Sequence, residues 1–166
     1  IFHVYTHGFL TFKSKKYDQI DDFINSKNLK EVNKDFINDL ALISQVSIKK
    51  SEVNYQHGRL IYSILDDYIN KQKKKSDKFL FVDVGTAKGF SSIIISKCAL
   101  DNKISYSVFS FDIIPHFKKI YWNSIKDIDG KLSRADLLKD YHEHTNHINY
   151  IKGRTKDKFK EISSHE

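Results

Sequence analysis

The spacing of apolar residues along the chain changes once, near residue 78. Before that point, apolar residues recur every three or four positions in YDQIDDFINSK (17–27), LKEVNKDFINDLALISQ (29–45) and GRLIYSILDDYIN (58–70). This spacing puts them on one side of a helix, so each segment is predicted to be a helix that packs on a core. The apolar face of the third helix consists of Leu60, Ile61, Ile64, Leu65, Tyr68 and Ile69.

After the lysine-rich segment KQKKKSDK (71–78), short apolar runs alternate with helical patterns. FLFVDV (79–84) predicts a buried strand, GFSSIIISKCAL (89–100) a helix and ISYSVFSFD (104–112) a second strand. Strands that alternate with helices form parallel sheets with right-handed crossovers. The predicted fold class is therefore α/β with a parallel sheet.

A long connector leads from the second strand to a third. It contains the only Pro and the only Trp, then the turn DIDG (127–130) and the helical stretch SRADLLKDYHEH (133–144). INYIKG (148–153) predicts the third strand and TKDKFKEI (155–162) a final helix. We predict an N-terminal helical segment over residues 1–50 and an α/β domain over residues 51–166.

Composition excludes several classes of protein. The chain has 166 residues, of which 40% are hydrophobic, and this suits a domain with its own core rather than a disordered tail. The single cysteine, Cys98, rules out a disulfide framework and fits a reducing compartment, so the cytoplasm is the expected location. No run of about 18 uncharged apolar residues occurs, and the first residues lack the pattern of a secretion signal. No membrane association is predicted.

The formal net charge of +7 raises the question of a nucleic-acid partner. The lysines are dispersed, and their one dense run (71–78) lies between a helix and a strand, where a solvated connector is expected. Aromatic residues do not interleave with the basic residues in a stripe that could follow a nucleic-acid backbone. The sequence therefore favours a partner other than nucleic acid.

The sharpest local signal is the loop GTAKG (85–89) after the first strand, called the glycine loop below. Ligands of open parallel sheets bind at the carboxyl ends of strands, and glycines at both ends of this loop let the backbone approach a ligand closely. The following helix directs free N–H groups and a positive dipole end at the same place, which favours a carboxylate or phosphate. The spacing is neither a P-loop nor G-x-G-x-x-G, because Ala87 stands where the second glycine would be. An NAD-dependent oxidoreductase is therefore disfavoured.

The stretch DVGTAKGFS (83–91) resembles the first motif of class I S-adenosylmethionine-dependent methyltransferases. It is most similar to the small-molecule O-methyltransferases of the catechol O-methyltransferase-like group. The resemblance implies a Rossmann-like sheet with the strand order 3-2-1 and S-adenosylmethionine as cofactor. In that family the loop packs on the methionine part of the cofactor, and the acidic residue serves its amino group. The cofactor-binding residues so implied are Asp83, Gly85, Thr86, Ala87, Gly89 and Ser91.

Three further features match this family in the same order along the chain. Asp112 ends the second strand, where the family has an acidic residue that accepts hydrogen bonds from both ribose hydroxyls. The family places a glycine and a short polar stretch along the adenine after the third strand, and the matching residues are Gly153, Arg154 and Thr155. A glycine-containing turn near the methionine end resembles NYQHGRL (54–60), which supplies His57 and Gly58. The resemblance covers about residues 51–160.

The resemblance implies an enzyme that transfers a methyl group from S-adenosylmethionine to an oxygen of a small-molecule or glycan acceptor. Two alternatives stay open: a non-catalytic methyltransferase-like binding module, and a nucleic-acid methyltransferase. The related fold has seven strands, and its catalytic base or metal carboxylates follow the fourth strand and later ones. The chain also contains no Met, so it resembles an N-terminal fragment whose catalytic residues are expected after residue 166.

The remaining chemistry-bearing residues give weaker signals. The histidines of YHEHTNH (141–147) form the pattern H-x-H-x-x-H, which does not match a standard zinc spacing, so no metal site is predicted. His57 is expected to support the site structurally rather than to act in catalysis. Cys98 is expected to be a small core residue. The connector, with Tyr121, Trp122, Arg134 and its histidines, is assigned either to acceptor recognition or to contacts between copies of the chain.

Overall fold

The computed structural model describes residues 16–45, 54–74 and 78–158. Three helices come first, followed by a strand, a helix and a second strand: α1 Asp18–Ser26, α2 Lys34–Ser44, α3 Gln56–Gln72, β1 Phe79–Val84, α4 Phe90–Asp101 and β2 Tyr106–Asp112. The connector holds short helical pieces: a 3₁₀ turn Ile125–Asp129, α5 Arg134–Leu137, a 3₁₀ turn Lys139–Tyr141 and α6 His142–Thr145. The described part ends with β3 Ile148–Lys152 and α7 Thr155–Lys158. None of the described helices is long and apolar enough to cross a membrane.

The three described strands form one parallel sheet with β2 in the centre. The α/β class and the predicted strand order are therefore confirmed. Because the strands are parallel, their carboxyl ends meet at one edge of the sheet. The glycine loop continues the pairing there, since the backbone N–H groups of Gly85 and Thr86 donate to the carbonyl oxygen of Phe111 at 2.9 and 3.2 Å. This edge brings the loop next to the end of β2.

One hydrophobic core joins the N-terminal helices to the sheet. It includes Ile37 and Leu40 of α2, Ile69 of α3, Ile93 and Ile94 of α4, and Val108 of β2. The helices before residue 50 therefore pack on the same core as the strands. The boundary predicted at residue 50 lies outside the described residues.

The face that helix α3 turns to the core differs in part from the one that its apolar pattern predicts. Ile64 and Tyr68 of the predicted face are exposed, whereas Tyr62 and Asp66 are buried. The buried polar groups have partners around the end of α4. The Tyr62 hydroxyl donates to Asp101 at 2.7 Å, and the Asn102 amide donates to Asp66 at 2.7 Å. The predicted face is therefore confirmed at Ile61, Leu65 and Ile69, which belong to the core or pack against it, and wrong at Ile64 and Tyr68.

Strand β1 is buried on one face only. Phe79 and Asp83 lie beneath α4, whereas Leu80, Val82 and Val84 on the other face are exposed. Helix α6 of the second crossover also packs against α4, so both connections cover the same side of the sheet. The prediction of a buried first strand is therefore confirmed for the face beneath α4 and wrong for the other face. A groove beside β1 is lined by Val82 and Phe81 together with the exposed apolar residues of α3.

The connector does not form the single helical stretch predicted over 133–144. A capping box between Ser133 and Asp136 starts α5, which ends after one turn. Leu138 then leaves helical geometry and is fully buried beneath the glycine loop. The predicted final helix begins as expected at Thr155, but its residues 159–162 lie outside the described part of the chain.

Candidate functional site

The two glycines of the glycine loop occupy different surroundings. Gly85, Ala87 and Gly89 all have positive φ angles, of 84°, 45° and 96°, a region that only glycine enters without strain. A Cβ added to Gly85 would meet no atom within 4 Å, so this residue faces open space. A Cβ added to Gly89 would lie 2.6 Å from the Cδ1 atom of Leu138. Gly85 therefore leaves room above the sheet edge, whereas Gly89 allows the loop to pack on the connector.

Asp83 lies beneath the loop with only 7% of its surface exposed. Ser91 donates to its Oδ1 at 2.7 Å, while Ser92 and Ser110 donate to its Oδ2 at 2.6 and 2.8 Å. The Thr86 and Ser110 hydroxyls are also 2.6 Å apart. These hydroxyls compensate the buried charge and tie α4 and the loop to both strands. Three donors leave about one of the four lone-pair sites of the carboxylate, on Oδ1.

Asp112 extends from the end of β2 toward the glycine loop. Its Oδ1 accepts the backbone N–H of Ile114 at 2.8 Å, and its Oδ2 accepts that of Ala87 at 2.5 Å. Its side chain is 9% exposed. Because each carboxylate oxygen has two lone-pair sites, each retains one for a further donor. The next residue, Ile113, is largely exposed and adds an apolar surface at the same edge.

Two connector residues lie inside the structure rather than on its surface. Trp122 is buried, and Arg134 is only 1% exposed, with its guanidinium 3.5 Å from Asp112 Oδ2. Their burial overturns the assignment of these two side chains to acceptor recognition or to contacts between copies. The reason is that a carboxylate and aromatic rings inside the protein offset the cost of burying the cation. Tyr121 is exposed, so for it both assignments stay open.

His57 and Gly58, predicted in a turn, lie in the first turn of α3, and this turn packs against the start of α4. A Cβ on Gly58 would be 2.6 Å from the ring of Phe90, the first residue of α4, so the backbones approach closely at this point. The His57 ring packs on the same Phe90 ring with centroids 4.7 Å apart, and partial desolvation lowers the pKa of His57. Burial also lowers the pKa of Lys88 in the loop, with the carboxylate of Asp127 opposing this shift. The structure thus brings the sequence-predicted turn next to the glycine loop.

The residues predicted to follow the adenine lie at the end of β3. The backbone N–H of Gly153 donates to the carbonyl oxygen of Asp112 at 2.8 Å, which fixes the end of β3 beside β2. Gly153 has a φ of 144°, and Thr155 begins α7. Arg154 is exposed at the same edge. These residues therefore share the sheet edge with Asp112, and no contact beyond that of Gly153 links them to it among the hydrogen bonds of the described chain.

The histidines of the connector have separate surroundings. His142 is exposed, whereas the His144 ring packs edge-on against Phe36 at 5.2 Å and the His147 ring packs in a tilted geometry against Tyr106 at 4.7 Å. Burial lowers the pKa of His144. Within residues 16–45, 54–74 and 78–158, no group of three or more His, Cys, Asp or Glu residues is arranged to hold a metal ion.

Sequence reasoning missed two side chains at this edge, the Ser92 and Ser110 hydroxyls, and it named Arg134 only as a residue of the connector. One signal for Ser110 was available, because it is a polar residue in the middle of the apolar run VFSF, directly opposite Asp83 in the register. Ser92 lies one residue after the matched motif, and only the first turn of α4 shows that it faces the strand. No local pattern indicates the buried position of Arg134.

Comparisons with known proteins give a distant likeness in structure. No protein-family model matches the chain, and no curated protein sequence matches it. Among solved structures, the chain is similar to the SAH-bound methyltransferase PaMTH1 of Podospora anserina, with a TM-score of 0.46 and 14% sequence identity. The match covers 89% of this chain and 54% of that one, so the chain spans about half the length of the solved protein.

Proposed function

We propose that the chain binds S-adenosylmethionine at the edge formed by the glycine loop and Asp112, as part of a methyltransferase. The observation that carries this proposal is the position of Asp112, directly beside the loop, with one backbone N–H on each carboxylate oxygen. Two neighbouring ribose hydroxyls need two acceptors at a fixed spacing. The remaining lone pair on each oxygen supplies this arrangement.

Other parts of the edge suit the remaining parts of the same ligand. Gly85 faces open space, and the exposed Ile113 next to Asp112 offers an apolar surface to a base. The start of α4 presents free backbone N–H groups to a carboxylate. The one lone-pair site left on Asp83 is available to an amino group. The edge therefore fits a ligand that joins an amino acid to a nucleoside.

When bound, the cofactor supplies a methyl group on a sulfonium, and the reaction is a displacement at that methyl. The part of the protein in such a reaction is to hold donor and acceptor in line. The residues of this chain account for the donor side, through the glycine loop, Asp112 and the turn at His57 and Gly58. We assign no catalytic base among the described residues.

For the acceptor we propose an oxygen of a small molecule or a glycan. A cavity of about 410 Å³ between the N-terminal helices and the start of α3 has the size of small-molecule sites. Its wall carries Arg59, paired with Asp21 and Glu31 at 2.6 Å each. Ile37 lines this cavity and also approaches Gly58, which touches Phe90 at the start of α4. Packed residues therefore link the cavity to the start of α4, and we propose that it receives the acceptor.

Calorimetry on the purified chain, or on a longer protein that contains it, tests the cofactor. We expect S-adenosylmethionine and S-adenosylhomocysteine to bind with a Kd of about 1–100 μM, the range of about −8 to −5.5 kcal/mol. Asp112→Ala should weaken binding by about 1.5–3 kcal/mol, as expected for hydrogen bonds to a charged group. Asp140→Ala, which removes an exposed carboxylate of the connector, is the matched control and should bind normally. Absence of heat with both ligands, or tighter binding of NADH, would contradict the proposal.

Two further measurements test the alternative functions. Strong binding of mixed-sequence oligonucleotides that weakens steeply between two salt concentrations would favour a nucleic-acid methyltransferase, because phosphate contacts release counterions. Cofactor binding without methyl transfer to any oxygen acceptor by the longer protein would favour the non-catalytic binding module.

A further inference from the structure

Arg134 is the most deeply buried cation of the described residues. It is the first residue of α5, and the capping box of Ser133 and Asp136 fixes the start of this helix. Its backbone N–H donates to the carbonyl oxygen of His116 at 3.0 Å, which anchors the helix to the segment after β2. The side chain runs from there toward the glycine loop. A large charged group is therefore held at a fixed place beneath the candidate site.

The guanidinium of Arg134 meets three acceptors at this place. Its Nε donates to the carbonyl oxygen of Ala87 at 2.7 Å. Its Nη2 lies 3.4 Å from the carbonyl oxygen of Ile114 and 3.5 Å from Asp112 Oδ2. The rings of Trp122 and Tyr150 lie on the guanidinium at 5.7 and 5.6 Å. The aromatic rings exclude water from a cation whose one ion-pair partner among the described residues is Asp112.

These contacts close a network that consists of Asp112, Ala87 and Arg134. Asp112 accepts the N–H of Ala87, and Arg134 binds the carbonyl oxygen of the same residue. Ala87 has a φ of 45°, which a residue with a Cβ adopts only when its surroundings hold it there. Arg134 therefore fixes both the loop and the carboxylate, without reaching the surface itself.

We propose that Arg134 is a positioning residue for ribose recognition, which keeps one lone pair of each Asp112 oxygen directed at the ligand. The inference deepens the proposed function and rests on it. At 3.5 Å from Oδ2, the guanidinium attracts the carboxylate but leaves the second hydrogen-bonding site of that oxygen free. With 1% of its surface exposed, Arg134 makes no contact with the ligand. Its effect passes through the orientation of Asp112.

The test measures how much the ribose hydroxyls contribute to binding. We define the ribose increment as the Kd of the 2′,3′-dideoxy analogue of S-adenosylhomocysteine divided by the Kd of S-adenosylhomocysteine itself. In the unchanged chain we expect an increment of about 10- to 100-fold, since both hydroxyls meet a charged acceptor. Arg134→Lys keeps the charge but loses the planar fork, and it should lower the increment at least about fivefold. Arg134→Met should lower it to near one.

Ile69→Ala is the control for lost stability, because it creates a cavity in α3 at a fully buried residue without touching the network. Its ribose increment should equal that of the unchanged chain, even where its melting temperature falls as far as that of Arg134→Lys. If Arg134→Met does not fold, the ribose increment of Arg134→Lys tests the inference, with the folding of this variant checked by thermal melting. An unchanged ribose increment in a folded Arg134 variant would overturn the inference and leave the proposed function standing. Failure of the unchanged chain to bind S-adenosylhomocysteine would overturn both.

Discussion

The different surroundings of the two loop glycines predict different results for the same substitution. An alanine at either position must adopt a positive φ, which costs about 1–2 kcal/mol, while the stiffer unfolded chain offsets about 0.4–1 kcal/mol. Gly85→Ala should therefore destabilise the chain by about 1 kcal/mol. At Gly89 the new Cβ also lies 2.6 Å from the fully buried Leu138, which adds an overpacking cost of about 1–3 kcal/mol. Gly89→Ala should cost about 2–4 kcal/mol in all.

A double-mutant cycle with Leu138→Ala separates the two costs. Leu138→Ala alone should cost about 2–5 kcal/mol, as for other buried leucines. Since this change removes the Cδ1 atom that the new Cβ meets, Gly89→Ala in that background should cost only about 1 kcal/mol, as Gly85→Ala does. The coupling energy should thus favour the double variant by about 1–3 kcal/mol. Urea unfolding followed by far-ultraviolet circular dichroism, with slopes compared between variants, measures all four free energies.

Ligand affinity should respond to the two substitutions in the opposite order to stability, with the larger loss in Gly85→Ala. Gly85→Ala puts a methyl group into open space on the proposed ligand side, so it should weaken binding of S-adenosylhomocysteine at least about tenfold, or 1.4 kcal/mol, in a folded chain. Two results would refute the reasoning. One is an equal loss of stability for both alanine variants with no coupling to Leu138→Ala, and the other is normal ligand affinity in Gly85→Ala.

Two further predictions concern buried titratable groups. Burial and the nearby Arg134 guanidinium lower the pKa of His116 to about 4. The neutral ring should therefore stabilise the fold fully above about pH 6.5, the usual pKa of histidine. This stability should be lost as the pH falls toward 4. The urea midpoint of His116→Phe, which keeps a ring on Tyr150, should fall less over this interval than that of the unchanged chain, and equal slopes would contradict the assignment. Burial also raises the pKa of the Cys98 thiol to about 12. Ellman's reagent should therefore label this cysteine only after unfolding. Rapid labelling of the native chain would contradict its burial.

The strands and α4 could be predicted from the sequence because each is coded locally. Their apolar runs are bounded by glycine or aspartate, and the observed strands differ from the predicted ones by at most two residues at an end. The position of Asp112 beside the glycine loop also follows from local sequence, because parallel strands bring their carboxyl ends to one edge. The sequence alone therefore predicts the fold class and the side of the candidate site that carries the glycine loop and Asp112.

The rest depends on contacts between residues that are distant along the chain. The rotation of α3 is set by polar contacts of Tyr62 and Asp66 around the end of α4, which no periodicity within α3 reveals. Arg134 occurs in a polar connector and looks like a surface residue, yet its burial follows from an acceptor in the loop and a carboxylate at the end of β2. Such contacts can be identified only once it is known which elements the fold brings together.

The hydroxyl groups around Asp83 act as an internal substitute for water. An ammonium or guanidinium partner only donates, whereas a serine hydroxyl can donate or accept, so each contact can be exchanged singly. If Ser91 turned from the carboxylate toward an incoming anion, Ser92 and Ser110 would still donate to Oδ2. The buried charge would keep most of its solvation during that exchange, and the start of α4 would not have to move. A fixed salt bridge at this position would have to break completely to give the same freedom.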